Sequence, residues 1–232
     1  MANKALLILE SPWWDLNNSN GNQASVLPFF EGLARLDQDL QVYYTMFVDS
    51  KSFEGSLKHL LTAPQERLFL YVASHGYGGR IANSNFSNIS KLLVDKLQRD
   101  GGKRVEGIIF GSCEIGGAQN DVHLYLLTDA AKVVWVFGYK TLINWTPSVL
   151  INMNLVSNLA QMDKDGLSTR DSIMEAATSA LNLFNPDVMI GWNRRHDSEN
   201  DPPDVAVKDA VRFIVRPRGR GNVSQDNTLA LF

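Results

Sequence analysis

Five short apolar segments punctuate the first 140 residues of the chain. They are rich in β-branched and aromatic residues and are continuous rather than alternating with polar positions: ALLILE (5–10), QVYYTMFV (41–48), RLFLYVAS (67–74), GIIFGS (107–112) and KVVWVFGY (132–139). Continuous apolar runs of this length are typical of parallel strands that are covered on both faces. The pattern therefore predicts five buried strands of one largely parallel sheet.

Amphipathic segments lie between and after these strands. They predict helices over four regions of the sequence: 24–36, 87–102, 121–130 and, as a mostly helical stretch, 147–185. Within the last region, Ser168 and Asp171 have the spacing of a capping box at the start of a second helix, which Pro186 stops. Because strand and helix alternate, the sequence predicts an α/β class with a largely parallel sheet.

The C-terminal part of the chain is harder to assign from its pattern. The run DAVRFIVRP (209–217) predicts an edge strand, and the polar, glycine-containing residues 218–232 predict a loosely held, flexible tail. Four arginines lie in RFIVRPRGRG (212–221), and we interpret them as a solvated terminus rather than a nucleic-acid site. Residues 1–217 are accordingly predicted to form a single domain.

Composition and charge exclude several classes of function. The 232 residues carry a formal charge of −3 and a sequence pI near 5.8, which gives no argument for binding nucleic acid or an anionic membrane. No apolar run approaches the roughly 18 residues of a membrane helix, and a single cysteine allows no intrachain disulfide. We therefore expect a cytoplasmic protein without a metal or other cofactor.

Two of the predicted strands end in residues that carry chemistry. LYVASHGYGGR (70–80) ends an apolar run at His75, and GIIFGSCEIGG (107–117) ends another at Cys113. Neighbouring parallel strands end at one rim of a sheet, so the two side chains would face a common cleft. An imidazole can take the proton of a thiol and return it to a leaving group, which predicts nucleophilic attack on an amide or ester carbonyl. Gly76 would let the backbone approach the substrate closely.

The residues at these strand ends resemble the motifs of the caspase-like cysteine peptidases of clan CD, which include caspases, metacaspases, gingipains, separase and bacterial CHAT domains. FLYVASHG (69–76) and GIIFGSC (107–113) match the blocks ending in His-Gly and in Cys, while VWVFGYKTLINW (134–145) resembles a Gly-Tyr…Asp-Trp segment of CHAT-type domains. Asn144 stands where that segment has an acid, and Glu114 follows the cysteine where small or polar residues are frequent.

This resemblance implies a three-layer α/β/α sandwich and a cysteine endopeptidase. It implies that His75 is the general base and acid, that Cys113 is the nucleophile, and that the N–H groups of Gly76 and Cys113 form the oxyanion hole. It also implies a protein or peptide substrate and a regulatory protein partner or signal that activates the enzyme, in a prokaryotic stress or antiviral defence system.

Charged and aromatic residues near the predicted rim bear on specificity. The carboxylates of Glu10, Asp15 and Glu114 favour a basic residue before the cleaved bond by charge complementarity, and Trp145 is a candidate wall of the substrate cleft. Arg80, just beyond the glycines, would reverse that preference if its side chain points inward.

Two alternative functions remain open at this point. One is a catalytically silent binding module on the same fold. The other is a Cys-His hydrolase or amidotransferase that uses His123, although the GSCEI segment around Cys113 departs by one position from the Gly-x-Cys-x-Gly elbow of those enzymes. His59 is expected to be a surface or half-buried residue, and His196 is expected to be solvated.

Overall fold

A computed structural model of the chain describes residues 2–13, 24–99, 104–193 and 204–232. Its strands are β1 (Lys4–Glu10), β2 (Leu40–Met46), β3 (Arg67–Ala73), β4 (Gly76–Tyr77), β5 (Arg80–Ile81), β6 (Ser84–Asn85), β7 (Arg104–Gly111), β8 (Trp135–Tyr139), β9 (Leu142–Ile143), β10 (Met189–Trp192), β11 (Val205–Ala206), β12 (Val211–Val215) and β13 (Gln225–Asp226). Its α-helices are α1 (Leu27–Leu36), α2 (Ser50–Leu60), α3 (Phe86–Arg99), α4 (Asp121–Asp129), α5 (Trp145–Gln161), α6 (Arg170–Leu181) and α7 (Val207–Ala210). Short 3₁₀ turns occupy Ala118–Asn120, Gly166–Ser168 and Thr228–Ala230.

The central sheet has seven strands in the order β13-β12-β8-β7-β3-β1-β2. The five strands from β8 to β2 run parallel to one another. Every residue of β1, β3 and β8 is buried, as the continuous apolar runs predicted. The prediction of a largely parallel sheet is therefore confirmed. The prediction that all five strands are buried is wrong for β2, which lies at the edge of the sheet and has Leu40 as the one buried residue among its seven.

Helices cover both faces of this sheet because alternate residues of each strand point to opposite sides. Leu6 and Ile8 of β1 belong to a core cluster shared with α1, α5 and α6. Leu7 and Leu9 belong to a second cluster, shared with α2, α3 and α4. The result is a three-layer α/β/α sandwich. No helix among the described residues combines the length and apolar character needed to cross a membrane.

The predicted helices are present, with one correction at a helix start. Thr169, not Ser168, caps α6, because the Thr169 hydroxyl accepts the N–H of Ser172 (3.4 Å) while Ser168 belongs to the preceding 3₁₀ turn. The helix predicted over 87–102 is observed up to Arg99, and its closing glycines lie outside the described residues. Helix α2 has no counterpart among the predicted helices.

The prediction that residues 209–217 form an edge strand is wrong. The five residues of β12 are all buried and pair antiparallel with β8 on one side and with β13 on the other. The edge position belongs instead to β13, which the chain forms when it returns along β12. Pairing on both sides explains why VRFIV is as apolar as a central strand.

Residues 218–232 lie against the domain rather than apart from it. The N–H of Asn227 donates to the carbonyl of Phe213 (2.8 Å), the N–H of Arg218 donates to the carbonyl of Leu167 (2.8 Å), and Leu231 is buried. These contacts do not support the expected loose tail. Nor is Arg212 solvated, because its guanidinium is buried and pairs with Asp226 (3.0 Å) and Asp121.

A buried ion cluster closes the amino-terminal end of the sheet. The Glu106 carboxylate of β7 accepts Nη2 of Arg67 (2.8 Å) from β3 and Nη2 of Arg218 (2.9 Å) from the C-terminal segment. Arg67 also donates through Nη1 to the carbonyl of Met162 (2.6 Å). The cluster thus joins two central strands to the segments after α5 and after β12.

Replacing Glu106 by Gln should lower the free energy of unfolding by on the order of 3 kcal/mol, because removal of one partner leaves buried charge uncompensated. Urea unfolding followed by circular dichroism measures the change. Glu66→Gln is the matched control, since Glu66 pairs with Lys164 (2.8 Å) at the surface, where ion pairs contribute little. Equal unfolding midpoints for the two variants would contradict a stabilising role for the cluster.

Candidate active site

His75 and Cys113 follow neighbouring strands at the same level of the sheet. The β3–β7 register pairs Ala73 with Gly111. The hydroxyls of Ser74 and Ser112, the next residues on each strand, lie 3.2 Å apart. The structure therefore brings positions 75 and 113 together at the carboxyl-terminal rim, where the sequence predicted that the two strands would end.

Gly76 packs directly against the main chain of Cys113. A Cβ built at position 76 would overlap the Cys113 carbonyl group and lie 2.7 Å from the Cys113 nitrogen. Real Cβ atoms do not approach backbone atoms this closely, so any larger residue would force the two loops apart. Glycine at position 76 is thus required by the close approach of the two strand ends.

The imidazole of His75 contacts Trp13, which follows β1. His75 Nε2 lies 3.1 Å from the carbonyl oxygen of Trp13, and the two side-chain rings meet edge to face with centroids 5.1 Å apart. A carbonyl oxygen only accepts, so this contact requires the proton on Nε2. In the neutral ring, Nδ1 is then the acceptor, which is the state that a general base needs.

The sulfur of Cys113 receives a backbone donor from the next loop. The N–H of Ile143 in β9 points at Sγ from 3.4 Å, and the Cys113 residue is half-buried. A donor N–H stabilises an anionic sulfur more than a neutral thiol. The loop that follows is tied to the end of β8, because Glu114 N–H donates to the Thr141 carbonyl (3.1 Å) and Gly116 N–H to the Tyr139 carbonyl (2.7 Å).

Glu114 links the histidine loop to the cysteine loop. Its carboxylate accepts the N–H of Gly78 (2.8 Å), which lies in the turn between β4 and β5. Glu114 itself has a φ of +63°, a left-handed conformation that disfavours side chains other than Asn, Asp and Gly. Its carbonyl accepts the Asn120 side-chain amide (3.2 Å). These contacts give Glu114 a structural role beside any contribution to substrate binding.

Glu10 occupies a buried position at the end of β1. Its carboxylate accepts the Trp13 indole N–H (2.6 Å), the Ser25 hydroxyl (2.6 Å) and the Val26 N–H (2.9 Å), and its side chain is fully buried. An internal acceptor with this many donors is not presented to a substrate. The contacts therefore do not support the substrate-binding role predicted for Glu10. Asp15, the other acidic candidate after β1, lies outside the described residues.

The side chains of Trp145 and Arg80 make contacts with other residues of the protein. Trp145 begins α5, is partly buried on the α1–α5–α6 core, and packs edge to face on Phe29 with ring centroids 5.3 Å apart. Arg80 donates through Nη2 to the carbonyl of Asn83 (3.3 Å) in the following turn. The described contacts of these two side chains are thus local to the fold.

The other histidines lie elsewhere. His123 sits on α4, where its ring meets that of Phe86 edge to face at 5.9 Å. His59 lies on α2 with an exposed side chain, which agrees with the predicted surface or half-buried position. His196 falls outside the described residues. Within the described part of the chain, no group of three or more His, Cys, Asp or Glu side chains is arranged to hold a metal ion.

A polar network lies beneath the rim. Tyr139 of β8 donates its hydroxyl to Asn152 Oδ1 of α5 (2.8 Å), and Asn152 Nδ2 donates to the hydroxyl oxygen of Tyr71 of β3 (3.0 Å). Burial raises the pKa of both phenols well above their usual range, so they remain protonated. Through α5, the network connects β8 to β3, the two strands on either side of β7.

Sequence reasoning missed three groups that act on the site. The Trp13 carbonyl and the Ile143 N–H belong to the main chain, so no residue type marks them. Arg212, whose Nη1 lies 3.4 Å from the carbonyl of Gly116 in the cysteine loop, was interpreted as solvated. Its position inside an apolar run, VRFIV, was the available signal of burial.

Comparison with known proteins identifies the fold. No family model and no curated protein sequence matches this chain. Among solved structures, the chain is similar to caspase-1 from Spodoptera frugiperda with a TM-score of 0.51 and 12% identity, covering 91% of this chain and 86% of that one. It is also similar to a secreted C11 cysteine protease from Bacteroides thetaiotaomicron, solved in complex with an irreversible peptide inhibitor. That match has a TM-score of 0.49 and 14% identity over 93% of this chain, which spans 66% of the protease chain. The match to caspase-1 confirms the predicted caspase-like fold.

Replacing Gly76 by Ala should lower the free energy of unfolding by about 1–3 kcal/mol, because the added methyl group forces backbone apart from backbone. The control is Gly55→Ala in α2, where a Cβ meets nothing within 4 Å and should stabilise the helix by about 0.5–1 kcal/mol. Thermal and urea unfolding measure both changes. If Gly76→Ala were as stable as the natural protein, the two strand ends would not be in contact.

Proposed function

We propose that this protein is a cysteine peptidase in which Cys113 is the nucleophile and His75 the general base and acid. The observation that supports it best is the pairing of positions 75 and 113 at one rim, with a carbonyl acceptor at Nε2 of His75 and an N–H donor at the sulfur of Cys113. The caspase-like fold agrees with this assignment.

In the proposed reaction, Nδ1 of His75 takes the proton of the Cys113 thiol. The thiolate attacks the carbonyl carbon of the scissile peptide bond, and the N–H groups of Gly76 and Cys113 stabilise the oxyanion. The imidazolium then gives its proton to the leaving amine as the C–N bond breaks. Water, deprotonated by the same imidazole, hydrolyses the thioester and releases the acid product.

The proposed specificity is for a basic residue before the cleaved bond. With Glu10 engaged inside the protein, Asp15 and Glu114 are the carboxylates that remain candidates for pairing with a substrate cation. Glu114 is also bound to the Gly78 N–H, so Asp15 is the principal candidate. Trp145, which packs on Phe29 at the start of α5, is retained in this proposal as a wall of the substrate cleft.

The setting of the enzyme is proposed from the sequence resemblance to CHAT-type domains. We infer a cytoplasmic peptidase, activated by a protein partner or a signal, in a prokaryotic stress or antiviral defence system. In this proposal the substrate is a protein or peptide, and nucleic acid, a membrane and a cofactor take no part in the chemistry. The amidotransferase alternative is less well supported, because the ring of His123 packs on Phe86 in the helical layer.

Hydrolysis of a library of fluorogenic peptides tests the proposal. Replacing Cys113 by Ala or His75 by Ala should lower kcat/KM at least about 10³-fold, since each removes a group that takes part in bond cleavage. His59→Ala is the matched control and should leave turnover unchanged, because His59 is exposed on α2. Loss of activity in His123→Gln, with His75→Ala active, would favour the amidotransferase-type pairing. Unchanged turnover in Cys113→Ala would overturn the proposal.

The specificity proposal has a separate test. Asp15→Asn should lower kcat/KM for peptides with Arg or Lys before the cleaved bond by roughly 30-fold, about 2 kcal/mol for loss of one charge pair. Peptides with an uncharged residue there should be cleaved as before. Asp165→Asn, on an exposed turn, serves as the control. Equal losses for basic and uncharged peptides would remove Asp15 from substrate recognition.

A further inference from the structure

We propose that Glu10 is a positioning residue that holds the imidazole of His75 through Trp13. The inference rests on the proposed function, because it assigns a role in orienting the base of that same site. Glu10 touches neither the substrate nor the reacting atoms. It acts by fixing the segment whose carbonyl oxygen and ring contact His75.

Two contacts link Glu10 to His75 through Trp13, and we call this arrangement the relay. The first contact is between Glu10 and Trp13. The Trp13 indole N–H donates to Glu10 Oε1 over 2.6 Å, and the same oxygen accepts the N–H of Val26 (2.9 Å) at the start of α1. The other carboxylate oxygen accepts the Ser25 hydroxyl (2.6 Å). The indole is thus held at a buried carboxylate that other donors already fix in place.

The Glu10 carboxylate is itself held by rigid parts of the fold. The backbone carbonyl of Glu10 accepts the N–H of Phe47 (3.0 Å) beyond β2. The next residue, Ser11, donates its N–H to the carbonyl of Ala73 (2.8 Å) at the end of β3. The Tyr44 phenol of β2 lies against the same carboxylate, and burial, followed by the charge of Glu10 and a hydrogen bond to it, raises the pKa of Tyr44 to about 12. Tyr44 therefore stays protonated beside the carboxylate.

The second contact is between Trp13 and His75. The Trp13 carbonyl oxygen accepts from His75 Nε2 (3.1 Å), and the indole edge packs on the imidazole. His75 is otherwise exposed, so few other contacts restrain its ring. With the indole tethered at Glu10, the Trp13 main chain cannot swing away, and the carbonyl stays aimed at Nε2. Nδ1 is then kept as the acceptor that the Cys113 thiol requires.

The rate at which iodoacetamide alkylates Cys113 at neutral pH tests the relay without requiring turnover, because the thiolate is the reactive form. Trp13→Phe keeps an aromatic ring and the main-chain carbonyl but removes the indole N–H, and should slow alkylation about tenfold, the effect of one lost hydrogen bond that orients the base. Glu10→Ala should do the same. Glu10→Gln should react close to the natural rate, since one amide oxygen can still accept both N–H groups that now share Oε1.

Two controls separate positioning from general destabilisation. Glu106→Gln also alters a fully buried glutamate, at the opposite end of the sheet, and should leave alkylation unchanged. In a His75→Ala background, Trp13→Phe should have no further effect, because a residue that acts through His75 loses its influence when the imidazole is gone.

The outcomes distinguish this inference from the proposed function. If His75→Ala slows alkylation while Trp13→Phe and Glu10→Ala do not, the relay is overturned and the His75–Cys113 pairing stands. An additive effect of Trp13→Phe in the His75→Ala background also overturns it. If His75→Ala itself leaves alkylation unchanged, the proposed function loses its base and the relay falls with it. A relay that holds in a protein without peptide turnover would instead support a caspase-fold binding module.

Discussion

The register between β3 and β7 is the constraint on which the candidate site depends. Pairing of Ala73 with Gly111 sets the two strands to end at the same height, and the Ser74–Ser112 contact carries that alignment one residue further. Side chains in a parallel pair alternate faces, so a slip of one residue would move His75 and Cys113 to different faces and different heights. Gly76 then allows the two strand ends to close on each other, since no Cβ separates it from the Cys113 main chain.

Loops that leave the rim are held by one another rather than by the sheet alone. Glu114 connects the β4–β5 turn to the cysteine loop, Arg212 reaches the Gly116 carbonyl from β12, and Trp13 connects the end of β1 to His75. Each link joins segments that are distant in sequence. A left-handed φ at Glu114 costs conformational energy that these surrounding contacts must offset. Such pre-arranged loops suit a site in which donors and acceptors have to be in place before the substrate arrives.

The buried ion cluster and the candidate site lie at opposite ends of the sheet. The Glu106 cluster gathers two arginines at the amino-terminal ends of β3 and β7 and fastens the C-terminal segment to the domain. The rim at the other end carries the exposed imidazole and the half-buried thiol. In open α/β sheets, ligands bind in the crevice outside the carboxyl-terminal ends of the strands.

The sequence by itself determined the five parallel strands, the alternation with helices and the positions of His75 and Cys113 at two strand ends. These properties are local: a continuous apolar run encodes a strand that is buried on both faces, and the residue that ends the run marks the rim. Helix α2 could also have been predicted from the sequence, because Asp49 and Ser52 cap each other's backbone at its start. Ser52 stands there in place of the Glu or Gln that usually marks a capping box. Only the tertiary structure decided that β12 is interior, that residues 218–232 lie against the domain, and that Glu10 faces inward to Trp13 rather than outward to a substrate. It alone also decided that a carbonyl oxygen lies at Nε2 of His75 and an N–H group at the sulfur of Cys113. Those outcomes depend on contacts between segments that are distant in the sequence. Several of these contacts are made by backbone groups, which do not depend on residue type, so no pattern of residue types predicts them.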